Sequence, residues 1–166
     1  MALTSIDKDP GACTMTITAH FDAPVERIWQ VWADPRQLEQ WWGPPTWPAT
    51  VEEHDLRPGG RVTYFMTGPE GEKSRGYWDV VEVEAPHRLA VEDGFADEAG
   101  APNTSLPTTR MQVHLDDDGG RTRMVMSSVF PSTEAMEQMI SMGMEEGIQQ
   151  AINQIDGILA GQPASR

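Results

Sequence analysis

Six titratable residues fall on stretches that read as β-strands: Asp79, Glu82, Glu92, Asp93, Arg110 and His114. A carboxylate among them that faced an apolar interior would hold its proton to higher pH and would suit general acid–base work in aldol or dehydration chemistry. Which of them turn inward is open, because a one-residue shift of register reverses every side chain of a strand. No residue is singled out as catalytic. His20, His54, His87 and His114 lie far apart and none forms an i, i+4 pair, so a zinc site lacks closely spaced ligands. The run Asp116-Asp117-Asp118-Gly119-Gly120 imitates a calcium loop, but Ser127 stands at its twelfth position, where a bidentate Glu is required. It reads as a hairpin turn, and no metal is expected. No nucleophile elbow, Walker loop or dinucleotide fingerprint is present, and no cofactor is expected. Cys13, the sole cysteine, has no evident base to activate it.

The side chains that suit binding are apolar. Five of the six tryptophans lie between Pro24 and Gly60. Tryptophan is large and costly to expose, so that density predicts a packed, shaped region. Trp29, Trp32 and Trp41 read as seals between helix and sheet. Trp42, Trp47 and Trp78 are placed to stack on an aromatic ligand, with Gly43-Pro44-Pro45 beside Trp42 forming the rim of an opening. Near the C-terminus Met136, Met139 and Met144 share a helical face, and Met111, Val113, Met124 and Met126 sit on strands that oppose it. Methionine is flexible and polarizable and lines adaptable apolar pockets, though it also fills ordinary cores. Gly143 and Gly147 thin the same helical face. Glycine costs about 0.8–1.0 kcal/mol in a helix interior relative to alanine, so the two imply either room for a ligand or close approach of a strand. The expected ligand-binding set is therefore Trp42, Trp78, Met111, Val113, Met124, Met126, Met136, Met139, Gly143, Met144 and Gly147.

The elements that must position these residues follow from periodicity. Thr14 to Phe21 alternates and predicts a half-buried strand. Pro24 opens a helix whose Val25, Ile28, Trp29 and Trp32 form one stripe. Asp34-Pro35 ends it and starts a second short helix, with Gln37 three residues after Asp34 as in a capping box. Val51–Leu56, Arg61–Thr67, Tyr77–Glu84, Arg88–Phe95, Thr109–Leu115 and Thr122–Phe130 predict six further strands with turn-rich separators. Residues 97–107 read as a mobile loop. Ser132 to Ala160 predicts one helix, roughly 43 Å long at 1.5 Å per residue. The prediction is an α+β fold in which a curved antiparallel sheet of about seven strands wraps the long C-terminal helix. Residues 1–11 read as a flexible leader, 12–160 as a single domain and 161–166 as a tail.

The chain has 26 acidic and 12 basic residues in 166, a net charge of −14. That field repels phosphate backbones and anionic membranes, which argues against nucleic-acid partners and membrane insertion. No stretch approaches the ~18 apolar residues of a membrane span. No secretory signal is visible, and a lone cysteine suits a reducing compartment, so a cytoplasmic location is expected.

Several motifs together resemble a known group. Pro24-Val25-Glu26-Arg27-Ile28-Trp29, Trp41-Trp42-Gly43-Pro44 and Asp55-Leu56-Arg57-Pro58-Gly59-Gly60 are similar to the START-like superfamily. Within it, they are most similar to the group named after the C-terminal domain of the activator of the ninety-kilodalton heat-shock chaperone's ATPase. Gly76-Tyr77 to Val83, Arg88-Leu89, Gly120 to Met124 and Gly143 to Gly147 extend the match over roughly Met15 to Ala160. The resemblance implies a helix-grip fold with a cavity between the long helix and the sheet, and a small hydrophobic ligand. Relatives in the superfamily bind lipids, polyketides and other apolar molecules, and some are cyclases or aromatases. The leading expectation is small-molecule binding without assigned catalysis. The alternatives are a cyclase-, aromatase- or hydrolase-like enzyme on an apolar substrate, and a chaperone co-factor or homodimer.

Overall fold

In chain order the elements are strands β1 (Leu3–Asp9) and β2 (Thr14–Phe21), helices α1 (Val25–Ala33) and α2 (Pro35–Trp41), six strands, and two helices. The six strands are β3 (Ala49–His54), β4 (Arg61–Thr67), β5 (Lys73–Glu84), β6 (Arg88–Ala96), β7 (Thr109–Asp118) and β8 (Arg121–Val129). Helices α3 (Thr133–Ser141) and α4 (Met144–Gly161) follow. The computed structural model describes residues 3–161. The tail expected at 161–166 lies outside them except for Gly161, which ends α4.

All eight strands form one antiparallel sheet in the order β1-β2-β8-β7-β6-β5-β4-β3. Strand alternation fixes its inner face. Ile17 pairs with Met126, Met126 with Val113, and Val113 with Leu89, and all four are 2% exposed or less. Ala151, Ile152, Ile155 and Ile158 of α4 belong to the same buried cluster as these strand residues. The sheet thus closes over α4, the helix-grip arrangement.

Three local expectations change. The first is the leader: Leu3–Asp9 is not loose but pairs with β2 as an eighth, edge strand. Its sequence hides this because an edge strand needs little apolar alternation once main-chain hydrogen bonds add it to a sheet, and polar residues are favoured there. Asp9 Oδ1 accepts from Ala12 N at 3.2 Å in the connecting turn, and Lys8 Nζ meets Glu145 Oε1 of α4 at 2.7 Å.

The second is the C-terminal helix, which is two helices rather than one. Gly143 has φ +88°, in the left-handed region that ends helices, and its N–H donates to Ile140 O at 3.0 Å. The apolar stripe continues across the elbow, so periodicity alone does not reveal the break.

The third is the cap of α2. Asp34 accepts from Arg36 N at 2.9 Å, but Gln37 Nε2 donates to the Asp34 carboxylate at 3.0 Å. Arg27 in turn donates to Gln37 Oε1 at 2.8 Å. Gln37 therefore ties the two short helices together through Arg27 instead of bonding the cap's own N–H.

Candidate binding cavity

Near one end of the sheet the inner face carries smaller and more flexible side chains than in the core, and a cavity of about 310 Å³ opens there. Met15 and Ile17 of β2, Met126 and Ser128 of β8, and Thr109 and Met111 of β7 form one wall. Asp93 and Phe95 of β6, Ser74 of β5, and Tyr64 and Met66 of β4 continue it. Trp42 and Pro44 close it from the end of α2. Met139, Met142, Gly143, Met144, Gly147 and Ile148 close it from the α3–α4 elbow.

Of the expected ligand-binding set, Trp42, Met111, Met126, Met139, Gly143, Met144 and Gly147 border this cavity. Trp78, Val113, Met124 and Met136 do not; all are 1% exposed or less and packed in the core. Val113 and Met124 lie further along the sheet, toward the end from which α1 departs and where Thr122 Oγ1 donates to Ala23 O at 2.7 Å. Trp78 is stacked edge-on beneath Trp42, with ring centroids 4.9 Å apart. Trp29, Trp32 and Trp41 are buried between helices and sheet, and Trp41 Nε1 donates to Val31 O at 2.8 Å. The indole N–H groups of Trp32, Trp42 and Trp78 are buried without a hydrogen-bond partner. Trp47 packs over Gly68 rather than on the cavity.

The two helix glycines separate. Gly143 serves the elbow. A Cβ on Gly147 would meet nothing within 4 Å, so no strand presses against it.

Of the six strand titratables, Asp93 alone faces the cavity. Arg110 and Glu92 form an ion pair with each other, as do Arg61 and Asp79 at 2.7 Å, and Arg88 and Glu82 at 3.0 Å. His114 alternates with the inward Val113 and Leu115 and so belongs to the other face. Asp93 keeps some accessible surface on the cavity side, while protein crowds the rest of its surroundings. Its hydrogen-bond partner is Tyr64, whose hydroxyl donates to Oδ1 at 3.2 Å.

Burial raises the Asp93 carboxyl from 3.8 to about 7, and the Tyr64 hydrogen bond opposes that rise. Burial and the Asp93 charge push the Tyr64 phenol well above its ordinary value, so it remains a donor. The Trp42 indole N–H leans toward the phenol enough to favour its ionised form slightly, yet falls short of a hydrogen bond.

Tyr64 reaches Asp93 by crossing β5. Its cross-strand partner there is Gly76, and Trp78, two residues on, pairs with Asp93. Tyr64, Met15, Met66 and Phe95 were not among the expected site residues. The available signal was Gly76: a glycine inside a strand marks close approach by another group.

The sequence profile described as Activator of Hsp90 ATPase homolog 1-like protein matches residues 22–160. No functionally curated protein matches the chain significantly. Among solved structures, protein Ms6760 from Mycobacterium smegmatis is 53% identical with a TM-score of 0.89, covering 96% of this chain and 98% of that one. A solution structure from Arthrobacter aurescens is also 53% identical, with a TM-score of 0.91 and coverages of 95% and 91%. A protein from Staphylococcus epidermidis is 27% identical at a TM-score of 0.82, with coverages of 94% and 93%. With a profile match over most of its length and the fold in agreement, the chain belongs to the Activator of Hsp90 ATPase homolog 1-like family.

Proposed function

We propose that the protein binds a small, mainly apolar molecule in the cavity beneath the α3–α4 elbow. The observation that carries this is the lining: Met15, Met66, Met111, Met126, Met139, Met142 and Met144 surround about 310 Å³ of space. Seven of the ten methionines in the sequence are thus gathered at one place. Such a wall adapts to ligand shape at small strain, which suits recognition more than rigid packing. Nile red, a neutral apolar dye, is the probe: saturable fluorescence enhancement with the full chain supports the reading. Met126→Trp fills the space from the sheet side and should abolish the enhancement. Equal enhancement in both proteins would show that the dye sits elsewhere and would remove the proposal.

A second reading, acid–base chemistry on such a molecule, is favoured by one observation, the inward Asp93 with its carboxyl near 7. A group titrating there can take or return a proton at neutral pH. Turnover of any apolar substrate that is lost in Asp93→Asn, with binding retained, would support it. Turnover unchanged by that substitution would exclude Asp93 from it.

A further inference from the structure

We infer that the molecule held in the cavity is a hydrophobic amine, bound with its ammonium group against the Asp93 carboxylate and its apolar body among the methionines. This rests on the cavity being a binding site and adds the chemical class of its occupant.

The lining holds few charges, and all of one sign. Asp93 and Tyr64 are the two ionisable side chains on the cavity wall, and no Lys, Arg or His borders it among the described residues. Among the described residues no cationic side chain pairs with Asp93. The nearest strand cation in register, Arg110, is committed to Glu92. Tyr64 has a single proton and gives it to Oδ1. An ionised carboxylate has about four acceptor positions, and among the described residues the Tyr64 hydroxyl is the donor to this one, which leaves acceptor capacity open toward the cavity. A desolvated charge is costly unless it is paired; the protein alone answers by keeping the carboxyl protonated up to about 7, and a cationic ligand would supply the pairing instead.

An ammonium group meets each requirement. It supplies the opposite charge and up to three donors. One donor suits Asp93, and a second suits the Thr109 hydroxyl, since Thr109 is the cross-strand partner of Asp93 on β7 and borders the same space. The rings of Trp42, Tyr64 and Phe95 line the cavity too, and aromatic faces attract cations. The net charge of −14 favours approach of a cation and opposes that of an anion. A fatty acid would set its carboxylate beside Asp93. An alcohol would bond Asp93 but leave the charge unbalanced.

The groups facing Asp93 are consistent with this. Tyr64 of β4 stays neutral, Tyr77 of β5 feels the Asp93 charge from its place in the sheet, and the α4 residues on the cavity are Met144, Gly147 and Ile148. None supplies a counter-charge.

The test compares three probes of nearly equal shape by calorimetry with the full chain at pH 8: 2-(1-naphthyl)ethylamine, 2-(1-naphthyl)ethanol and 3-(1-naphthyl)propionate. The amine should bind at least about tenfold tighter than the alcohol, as for a charge-assisted bond replacing a neutral one, with the carboxylate weakest. Asp93→Asn should bring the affinities of amine and alcohol together by weakening the amine. Equal binding of amine and alcohol to the unsubstituted protein, or tightest binding of the carboxylate, overturns the amine assignment and leaves the cavity reading standing. Binding of none of the three overturns both.

Discussion

The phenol of Tyr64 lies flat over Gly76, so close that a Cβ on that glycine would stand 2.5 Å from the hydroxyl oxygen. The missing side chain is the passage through which a β4 residue reaches a β6 carboxylate across the intervening strand. Gly76→Ala should therefore displace Tyr64 and cost about 1–3 kcal/mol by overpacking, read from urea unfolding. Carbon-13 NMR of the Asp93 carboxyl gives the specific readout. Losing the Tyr64 donor removes the one influence that lowers this group, so its titration should move above about 7 in both Gly76→Ala and Tyr64→Phe. An unmoved titration in Tyr64→Phe would show that the hydrogen bond does not act on the carboxyl.

Asp93 links the cavity to global stability. The folded protein holds this proton up to about 7, whereas the unfolded chain releases it near 3.8. Between those values the folded state binds more protons, so the group's contribution to stability falls as pH rises and levels off above about 7. Asp93→Asn should thus stabilise the protein at pH 8, by an upper limit on the order of 4 kcal/mol, with the gain shrinking toward pH 4. Melting temperatures of the two proteins across roughly pH 5 to 8 check this through the trend in their difference. A difference that stays constant with pH would contradict it.

The amine probe should show the same carboxyl from the ligand's side. Its affinity should weaken as pH falls through about 7, approaching tenfold per pH unit once Asp93 is protonated before binding. In Asp93→Asn the profile should be flat. Calorimetry in buffers of different ionisation enthalpy should register proton release on binding near neutrality.

Gly143 and Gly147 sit one helical turn apart and should respond in opposite directions. Gly143→Ala places a side chain at φ +88° and should destabilise by about 1–2 kcal/mol. Gly147 is helical with nothing within 4 Å of the new methyl group, so Gly147→Ala should stabilise by about 0.8–1.0 kcal/mol. Because Gly147 borders the cavity, the same alanine should weaken Nile red binding. A gain in stability without a change in dye affinity would show that the ligand does not reach α4.

The sheet was readable where both periodicity and punctuation were strong. Strand β4 matches its expected bounds, Arg61–Thr67, because Gly59-Gly60 and Gly68-Pro69 frame an apolar run. Strand β1 was missed because Leu3 and Ile6 alone carry its apolar signal, and pairing with β2 supplies the rest. The elbow was missed because a glycine in a helical stripe signals a cost without saying whether the backbone turns there. The methionine wall could be anticipated in kind, whereas its depth along the sheet could not: Met124 and Met126 are neighbours on one face of β8, yet of the two only Met126 borders the cavity. Asp93 was ambiguous because Glu92 precedes it, and two adjacent acids must point to opposite faces. Only the register with β7, which sets Asp93 against Thr109, resolves the choice.

Trp32, Trp41, Trp42 and Trp78 stand with neighbouring ring centroids 4.8 to 6.0 Å apart. At such spacing excitation should pass between the indoles, and the quartet is expected to emit as one antenna. Trp42 is the member that touches the cavity, and whatever enters beside it alters the light from all of them. Intrinsic tryptophan emission should thereby report entry of a ligand without any added label.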